Sequence, residues 1–392
     1  MGNNPSVDVK HLVKDHSSQN IPLTFEEAFS LGVYMLQGCH GDSLAQVQSV
    51  AVLTALHNKA TYLWRWNKKQ EKIHGHRLPK SSAEQIAGIC AAVFEHDIAV
   101  SEFGFLNPQV GFAINNCGMG GDLIITANVS TIAAFIASVA GIPMCKHGSP
   151  ANADKGRHGS SDFISLCGIN GFADKGLVER SVELFCFGYT EALDTRYKRI
   201  HLQTHDFAKL PHMNDIIGPI TNPLNPRILK KVALGINHLI PPRIVAEAYQ
   251  ILNQRGFTYL EHGLFIRGFG DNNSQSIVDE LSICGGGTQI AELKDGVISE
   301  YWVHAEDFDL EPIPVEAISP TNGTSKGDFS MAILKRESTG HASQMVTANA
   351  ALLFYLAGNH DLKDCYQQAA SILASGQILD RVNEIRKMLP KK

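Results

Sequence analysis

Apolar residues recur with a helical period through the first hundred residues of the chain. After Thr24, the apolar positions fall near the spacing of one helix face, at Ala28, Leu31, Met35 and Leu36, and acidic residues occupy the first turn. Two further runs, residues 44–56 and 82–94, repeat this spacing. The pattern predicts a mostly helical N-terminal region. Residues 1–21 precede it without any periodicity, and we expect them to form a flexible tail.

Beyond Gly111, short apolar runs alternate with helical patterns. We predict strands at residues 111–114, 142–145, 182–187, 231–236 and 263–266, and helices at residues 131–140 and 244–254. Residues 344–357 are apolar all round and end at Gly358, which predicts a buried helix. Because such alternation is typical of α/β domains, we expect a parallel or mixed central sheet covered by helices.

The composition places the chain among ordinary folded proteins. Of its 392 residues, 44% are hydrophobic and 19% are charged, a balance unlike that of disordered or collagen-like chains. The net charge of −5 indicates no nucleic-acid partner unless a local basic patch exists. Eight cysteines without a CxxC pair favour a reducing compartment, and no apolar run reaches about 18 residues. We therefore expect a cytoplasmic protein with no membrane span.

A glycine-rich turn is the first candidate for chemistry. Cys117-Gly-Met-Gly-Gly-Asp122 follows a predicted strand, and Asn128-Val-Ser-Thr131 opens the next helix. Glycines let backbone N–H groups crowd around an anion, and a helix N-terminus adds partial positive charge, so phosphate is the natural ligand. The GxGxxG and GxxxxGK[ST] fingerprints are both absent from this turn, so it is either a different phosphate loop or a plain turn.

Two more segments carry groups that suit a phosphate and its metal ion. Lys146-His-Gly148 ends the next predicted strand and opens a loop that reaches residue 161. Successive strand ends meet at one edge of a parallel sheet, where α/β proteins bind ligands. The adjacent carboxylates Asp279 and Glu280 are hard oxygen ligands of the kind that Mg²⁺ takes beside phosphates, although such pairs are also common on solvated surfaces.

A basic segment supports a second class of function. Residues 64–80 combine two of the three tryptophans with several lysines and arginines. Aromatic rings interleaved with cations suit base stacking and phosphate contacts in a nucleic-acid or partner surface. The alternative is a solvated helix end and loop whose tryptophans pack on the core, and we favour that alternative.

Several segments, in the same order along the chain, resemble those of anthranilate phosphoribosyltransferases. They are Gly118-Met-Gly-Gly-Asp122, Asn128-Val-Ser-Thr131, Lys146-His-Gly148, Gly159-Ser-Ser-Asp162, Gly218-Pro-Ile-Thr-Asn-Pro223 and Asp279-Glu-Leu-Ser282. The likeness runs from Thr24 to about Leu389. It implies a small all-helical domain and a larger α/β domain, as a homodimer that binds phosphoribosyl pyrophosphate (PRPP) and Mg²⁺ for a step of tryptophan biosynthesis.

The resemblance also implies roles for individual residues. It makes Lys146, Asp279 and Glu280 catalytic, and it assigns Mg²⁺ to Ser130, Asp279 and Glu280. Substrate binding falls to a larger set: Gly118, Gly120, Gly121, Asp122, Asn128, Ser130, Thr131, Lys146, His147, Gly148, Ser149 and Ser160.

The chain departs from the family at several positions. Met119 replaces the usual Thr, Ser149 replaces the usual Asn, and the loop to Gly159 is longer. The family's basic residue for the anthranilate carboxylate is missing from residues 211–215, and residues 205–210 resemble a divergent branch of the family, some of whose members bind nucleic acid.

We therefore expect a helical domain over residues 22–107, with a returning piece near 196–213, and an α/β PRPP-binding domain over residues 108–392. The function that follows is a Mg²⁺-dependent phosphoribosyltransferase acting on anthranilate or a related aromatic amine, with release of pyrophosphate. The alternative is a non-biosynthetic nucleic-acid-binding protein that keeps the fold and uses residues 64–80 with Lys198, Arg199 and Lys209. The pair Asp279 and Glu280 favours the enzyme, because a binding protein has no use for a metal site. No membrane partner is expected.

Overall fold

The computed structural model describes residues 23–38, 44, 47, 48, 51, 81–150, 159–197, 199–200, 214–238, 240–321 and 323–391, without the side chains of Ser81, Ser82 and Asn214. The predicted tail, the basic segment at residues 64–80, Lys198 and Lys209 lie outside these residues, as does most of the predicted helix at residues 44–56. Within the described ranges, no helix is long and apolar enough to cross a membrane.

Helices and strands alternate over most of the chain. The strands are β1 Ala113–Gly118, β2 Met144–Gly148, β3 Phe187–Glu191, β4 Leu229–Gly235, β5 His262–Phe269, β6 Ser276–Val278, β7 Thr288–Lys294 and β8 Val297–Val303. The helices are α1 Phe25–Gly38, α2 Ser81–Val93, α3 Val129–Val139, α4 Ser160–Leu166, α5 Lys175–Phe185, α6 Asn214–Ile220, α7 Pro242–Gln254, α8 Lys326–Leu334, α9 His341–Ala357, α10 Leu362–Ser375 and α11 Gln377–Met388.

The chain divides into two compact units. One holds the described residues up to Phe105 together with Leu193–Pro223 and Glu247–Thr258, and the other holds Leu106–Ala192, Leu224–Ala246 and Tyr259–Lys392. The prediction for the helical domain did not include Glu247–Thr258. The apolar spacing of α7 predicts a helix, but it does not show which part of the protein that helix packs on.

The first unit is helical and is held by capping and by one buried ion pair. Thr24 and Glu27 form a reciprocal capping box at the start of α1, with the Thr24 N–H donating to Glu27 Oε2 at 2.9 Å. Asp97 is fully buried and accepts from the backbone N–H of Arg199 at 2.8 Å and from its Nε at 3.1 Å. This pair fastens the returning piece to the helical region and engages the guanidinium of Arg199.

The second unit is built on one mixed sheet, which confirms the predicted fold class. Its strand order is β3-β2-β1-β4-β5-β7-β8, with β6 paired to β5. The strands β3, β2, β1, β4 and β5 are parallel, and the pairings of β5 with β6 and β7, and of β7 with β8, are antiparallel. The predicted helix at residues 344–357 is α9, and its side chains are almost all buried.

The structure corrects two of the predicted strands. Residues 182–185 belong to α5, where Val178, Ser181 and Val182 are buried at helical spacing, and the strand begins only after Cys186, whose φ of 54° ends the helix. The strand predicted at residues 111–114 lies instead at Ala113–Gly118. The buried amides of Asn115 and Asn116 interrupt its apolar pattern, although both have hydrogen-bond partners.

Candidate functional site

The sheet has its topological switch point between β1 and β4. From β1 the chain crosses through α3 to β2 on one side, and from β4 it crosses through α7 to β5 on the other. Open parallel sheets bind ligands at such a switch point, beyond the carboxyl ends of the strands. Gly118 and Gly235 are register partners at those two ends, so both strands finish in a residue without a side chain.

Asp279 packs directly over this glycine pair. A Cβ added at Gly118 would overlap Asp279 Oδ2, and a Cβ added at Gly235 would overlap its carbonyl oxygen. The N–H of Gly120, a residue with φ of 76°, donates to Asp279 Oδ2 at 2.6 Å. The N–H of Asp279 in turn donates to Asp122 Oδ1 at 2.8 Å. These contacts fasten the glycine-rich turn to the segment that carries the paired carboxylates.

Three carboxyl groups meet at this point. Oxygen atoms of Asp122, Asp279 and Glu280 all lie within 4.8 Å of one another. Burial, followed by the charges of Asp279 and Glu280, raises the pKa of Asp122 well above its usual range. Burial, followed by the charge of Asp279, raises the pKa of Glu280 to about 8. The three groups therefore resist ionising together unless a cation joins them.

The cluster fits a divalent cation such as Mg²⁺. Carboxylate oxygens are the hard ligands that Mg²⁺ prefers, and a metal ion would relieve the mutual repulsion of three close charges. Glu280 Oε2 is buried and has no hydrogen-bond partner in the described part of the chain. Asp122, which the sequence assigns to substrate, thus lies with the two carboxylates assigned to the metal. Ser130 lies beside them, since its backbone N–H donates to the Glu280 carboxylate.

Lys146 brings a buried ammonium group to the same place. Its side chain is fully buried on β2, and Nζ donates to the carbonyl of Asn116 at 2.6 Å and to Ser130 Oγ at 3.0 Å. Burial lowers the pKa of Lys146 to about 8, against the opposing charges of Cys117, Glu280 and Asp279. An anion that binds beside Lys146 would therefore favour the charged form of its ammonium group.

The start of α3 places the other residues that the sequence assigns to phosphate. Asn128 precedes the helix, but its backbone N–H and its Nδ2 both donate to Ser330 Oγ, at 2.8 and 3.1 Å. Thr131 Oγ1 is buried and has no hydrogen-bond partner among the described residues. Of these residues, Ser130 has the most direct connection with the cluster, because it interacts with both Lys146 and Glu280.

The end of β2 gathers Gly148, Ser149 and Ser160. A Cβ at Gly148 would crowd Ser160 Cβ at 2.8 Å, and the carbonyl of Ser149 accepts from the N–H of Ser161. His147 instead points to the neighbouring strands, where its Nδ1 lies 2.9 Å from Thr190 Oγ1. Successive side chains of a strand face opposite sides, so the partners of His147 differ from those of Lys146.

Two residues outside the predicted set support the cluster. Asn349 on α9 accepts from the N–H of Leu281 at 3.0 Å and donates Nδ2 to its carbonyl at 2.9 Å, which clamps the chain next to Glu280. In the sequence, an Asn inside an otherwise apolar helix was the feature that could have indicated this role. Lys326 acts on the cluster through its charge, which lowers the pKa of both Asp122 and Glu280. Nothing in the local pattern marks this lysine.

Comparison with known proteins identifies the family of the chain. The family model described as "Glycosyl transferase family, a/b domain" matches residues 111–379. The anthranilate phosphoribosyltransferase of Mannheimia succiniciproducens is 31% identical over 316 residues, which are 79% of this chain and 83% of that protein. The anthranilate phosphoribosyltransferase of Haloarcula marismortui is 28% identical over 357 residues, which are 90% of this chain and 98% of that protein.

Solved structures share the fold. Anthranilate phosphoribosyltransferase from Thermus thermophilus aligns with a TM-score of 0.72 at 22% identity, covering 96% of this chain and 98% of that one. The Saccharomyces cerevisiae protein, solved with PRPP and Mg, aligns with a TM-score of 0.73 at 18% identity and covers 99% of each chain. The chain therefore belongs to the anthranilate phosphoribosyltransferase family, and it is a transferase of the glycosyl transferase class.

Proposed function

We propose that this protein is a Mg²⁺-dependent phosphoribosyltransferase that moves phosphoribose from PRPP to anthranilate or a related aromatic amine and releases pyrophosphate. The curated relatives carry the name of that activity, and the yeast structure holds PRPP and Mg. The observation that carries the proposal is the meeting of Asp122, Asp279 and Glu280 with Lys146 at the switch point of the sheet.

The chemistry requires little beyond positioning and charge. The bond from the ribose C1 to the pyrophosphate oxygen breaks, the amine nitrogen forms the new bond to C1, and the amine proton leaves to solvent. Positive charge develops on the sugar and negative charge on the leaving group, so no covalent nucleophile is needed. A bound Mg²⁺ would supply charge neutralisation at the pyrophosphate.

The residues of this chain have separate tasks in that reaction. The carboxylates of Asp279 and Glu280, with Asp122 beside them, would hold the metal. The backbone N–H groups of the turn from Gly118 to Gly121 would approach phosphate oxygens closely, because no side chain stands in the way. Lys146 would place a buried positive charge against the leaving group, where low dielectric strengthens the attraction.

The proposal is tested by following pyrophosphate release from PRPP with Mg²⁺ across a panel of aromatic amines and aromatic acids. We expect release that needs both Mg²⁺ and one acceptor, and that stops with EDTA. Anthranilate is the first acceptor to test. Uncharged aromatic amines are the second, because the family's basic residue for the anthranilate carboxylate is missing from residues 211–215. The Lys335→Gln variant, changed at an exposed residue after α8, is the matched control and should retain activity.

Absence of release with every acceptor from a folded protein would contradict the proposal. Salt-sensitive binding of single-stranded nucleic acid by that same protein would favour the alternative function, whose residues at 64–80 lie outside the described ranges. The homodimer implied by the family resemblance stays a prediction, and sedimentation velocity of the full chain checks it.

A further inference from the structure

The paired carboxylates Asp279 and Glu280 lie in the segment that joins β5 to β7, directly after the short strand β6. On its N-terminal side the pair is held by a hydrogen bond, because the Asp279 N–H donates to Asp122 Oδ1 at 2.8 Å. The position of the Glu280 carboxylate depends equally on what holds the backbone that follows it.

The side-chain amide of Asn349 holds that following backbone. Its Oδ1 accepts from the Leu281 N–H at 3.0 Å, and its Nδ2 donates to the Leu281 carbonyl at 2.9 Å. The Leu281 N–H belongs to the peptide group between Glu280 and Leu281, so this contact fixes the backbone that carries the Glu280 carboxylate. Nδ2 also donates to the Met345 carbonyl of its own helix at 2.9 Å. We call these contacts of the buried Asn349 the amide clamp.

The two parts that the amide clamp joins are each fastened to the sheet. Further along α9, Tyr355 donates its hydroxyl to Glu292 Oε1 on β7 at 3.1 Å, and His262 Nε2 on β5 lies 2.5 Å from the same oxygen. The carboxylate segment is fastened just after the clamp, where the Ser282 hydroxyl donates to the Phe269 carbonyl at the end of β5 at 2.6 Å. The clamp therefore connects two parts of the protein that are both anchored to the same sheet.

We propose that Asn349 is a positioning residue that makes the cluster of Asp122, Asp279 and Glu280 selective for Mg²⁺ over Ca²⁺. The inference rests on the proposed function. Mg²⁺ requires near-ideal octahedral geometry with ligands at about 2.0–2.1 Å, whereas Ca²⁺ accepts flexible arrangements of oxygens at about 2.3–2.6 Å. Carboxylates that are held on both sides cannot spread to suit the larger ion. Carboxylates released on the Glu280 side can do so, and the amide clamp prevents that release.

The test is isothermal titration calorimetry of PRPP into the unmodified protein and into Asn349→Ala, at saturating Mg²⁺ and again at saturating Ca²⁺. We expect the unmodified protein to bind PRPP more tightly with Mg²⁺ than with Ca²⁺. In the variant, the affinity with Mg²⁺ should fall roughly ten- to a hundredfold, because a contact that orients a metal ligand is lost. The affinity with Ca²⁺ should fall much less, so the ratio of the two affinities should drop about tenfold or more.

The ratio of the two affinities distinguishes this role from a merely structural one. Asn349→Ala removes buried hydrogen bonds and should lower the melting temperature in either case, but general damage would weaken binding with both cations alike. Thr347→Val is the matched control, because it removes a buried hydroxyl that donates only within α9, to the Ser343 carbonyl at 2.7 Å, and it should leave the ratio unchanged. Tyr355→Phe loses the contact with Glu292 and should lower the ratio by a smaller factor.

An unchanged ratio in Asn349→Ala would overturn the inference, as would equal PRPP affinities of the unmodified protein with the two cations. If Asn349→Ala does not fold, an unchanged ratio in Tyr355→Phe overturns it instead. Each of these results leaves the proposed function standing, provided that the unmodified protein releases pyrophosphate from PRPP with Mg²⁺ and an acceptor. If the unmodified protein binds PRPP with neither cation, the proposed function fails and the inference fails with it.

Discussion

Replacing Glu280 by Gln should stabilise the metal-free protein, and the gain should grow with pH. Glu280 has a pKa near 4.5 when unfolded, and burial beside Asp279 raises it to about 8 in the folded protein. Between these two values the folded state holds a proton that the unfolded state has released. The stability of the unmodified protein therefore falls as pH rises through this window, whereas a neutral Gln carries no such cost.

The size of the effect follows from the two pKa values. Their difference is about 3.5 units, and each unit corresponds to about 1.4 kcal/mol, so the upper limit at pH 9 is about 5 kcal/mol. At pH 7 the limit is about 3 kcal/mol, and below pH 4 it vanishes because both states are protonated. The attraction of Glu280 to Lys146 and Lys326 is already contained in its folded-state pKa.

The assay is guanidinium unfolding in EDTA at pH 4, 7 and 9, with the unmodified protein and Glu280→Gln side by side. The exposed Glu311→Gln is the matched control and should leave the unfolding midpoint nearly unchanged at each pH. Added Mg²⁺ should reverse the order, because it stabilises by mass action only the protein that binds it. A variant that is no more stable than the unmodified protein at pH 9 would refute the reasoning.

Three further predictions concern the same site. Asp279→Asn keeps an acceptor oxygen for the Gly120 N–H but is a poor ligand for a hard cation, so turnover of PRPP should fall about a hundredfold while the melting temperature holds. Lys146→Met should lose PRPP affinity, measured by calorimetry, without a lower melting temperature. Burial lowers the pKa of this ammonium from 10.5 to about 8, so keeping it charged and buried costs stability below pH 8. A sharp drop in melting temperature with normal PRPP binding would make the lysine structural. Gly235→Ala should impair both folding and PRPP binding because its Cβ would overlap the carbonyl of Asp279, whereas Gly176→Ala, with open space around its Cβ, should do neither.

The local pattern of the sequence determined the elements and most of the motifs. Helical spacing predicted α1, α2 and the buried α9, because the period of apolar residues reflects which face of a helix is covered. The glycine turn after β1 and the lysine at the end of β2 were recognisable since each depends on a few consecutive residues. The strands predicted at residues 182–187 and 111–114 were wrong, because a short apolar run and the buried Asn115 and Asn116 are ambiguous local signals.

Only the tertiary structure decided which of these residues share a site. Asp122 and Asp279 are 157 positions apart and meet because β1 and β4 are neighbours whose ends are glycines. Asn349 reaches the segment next to Glu280 from a helix far along the chain. Periodicity encodes the conformation of a segment and the face it buries, whereas the pairing of distant segments depends on how the whole sheet is ordered and covered. That is why the sequence by itself indicated a metal pair, and the fold added the third carboxylate.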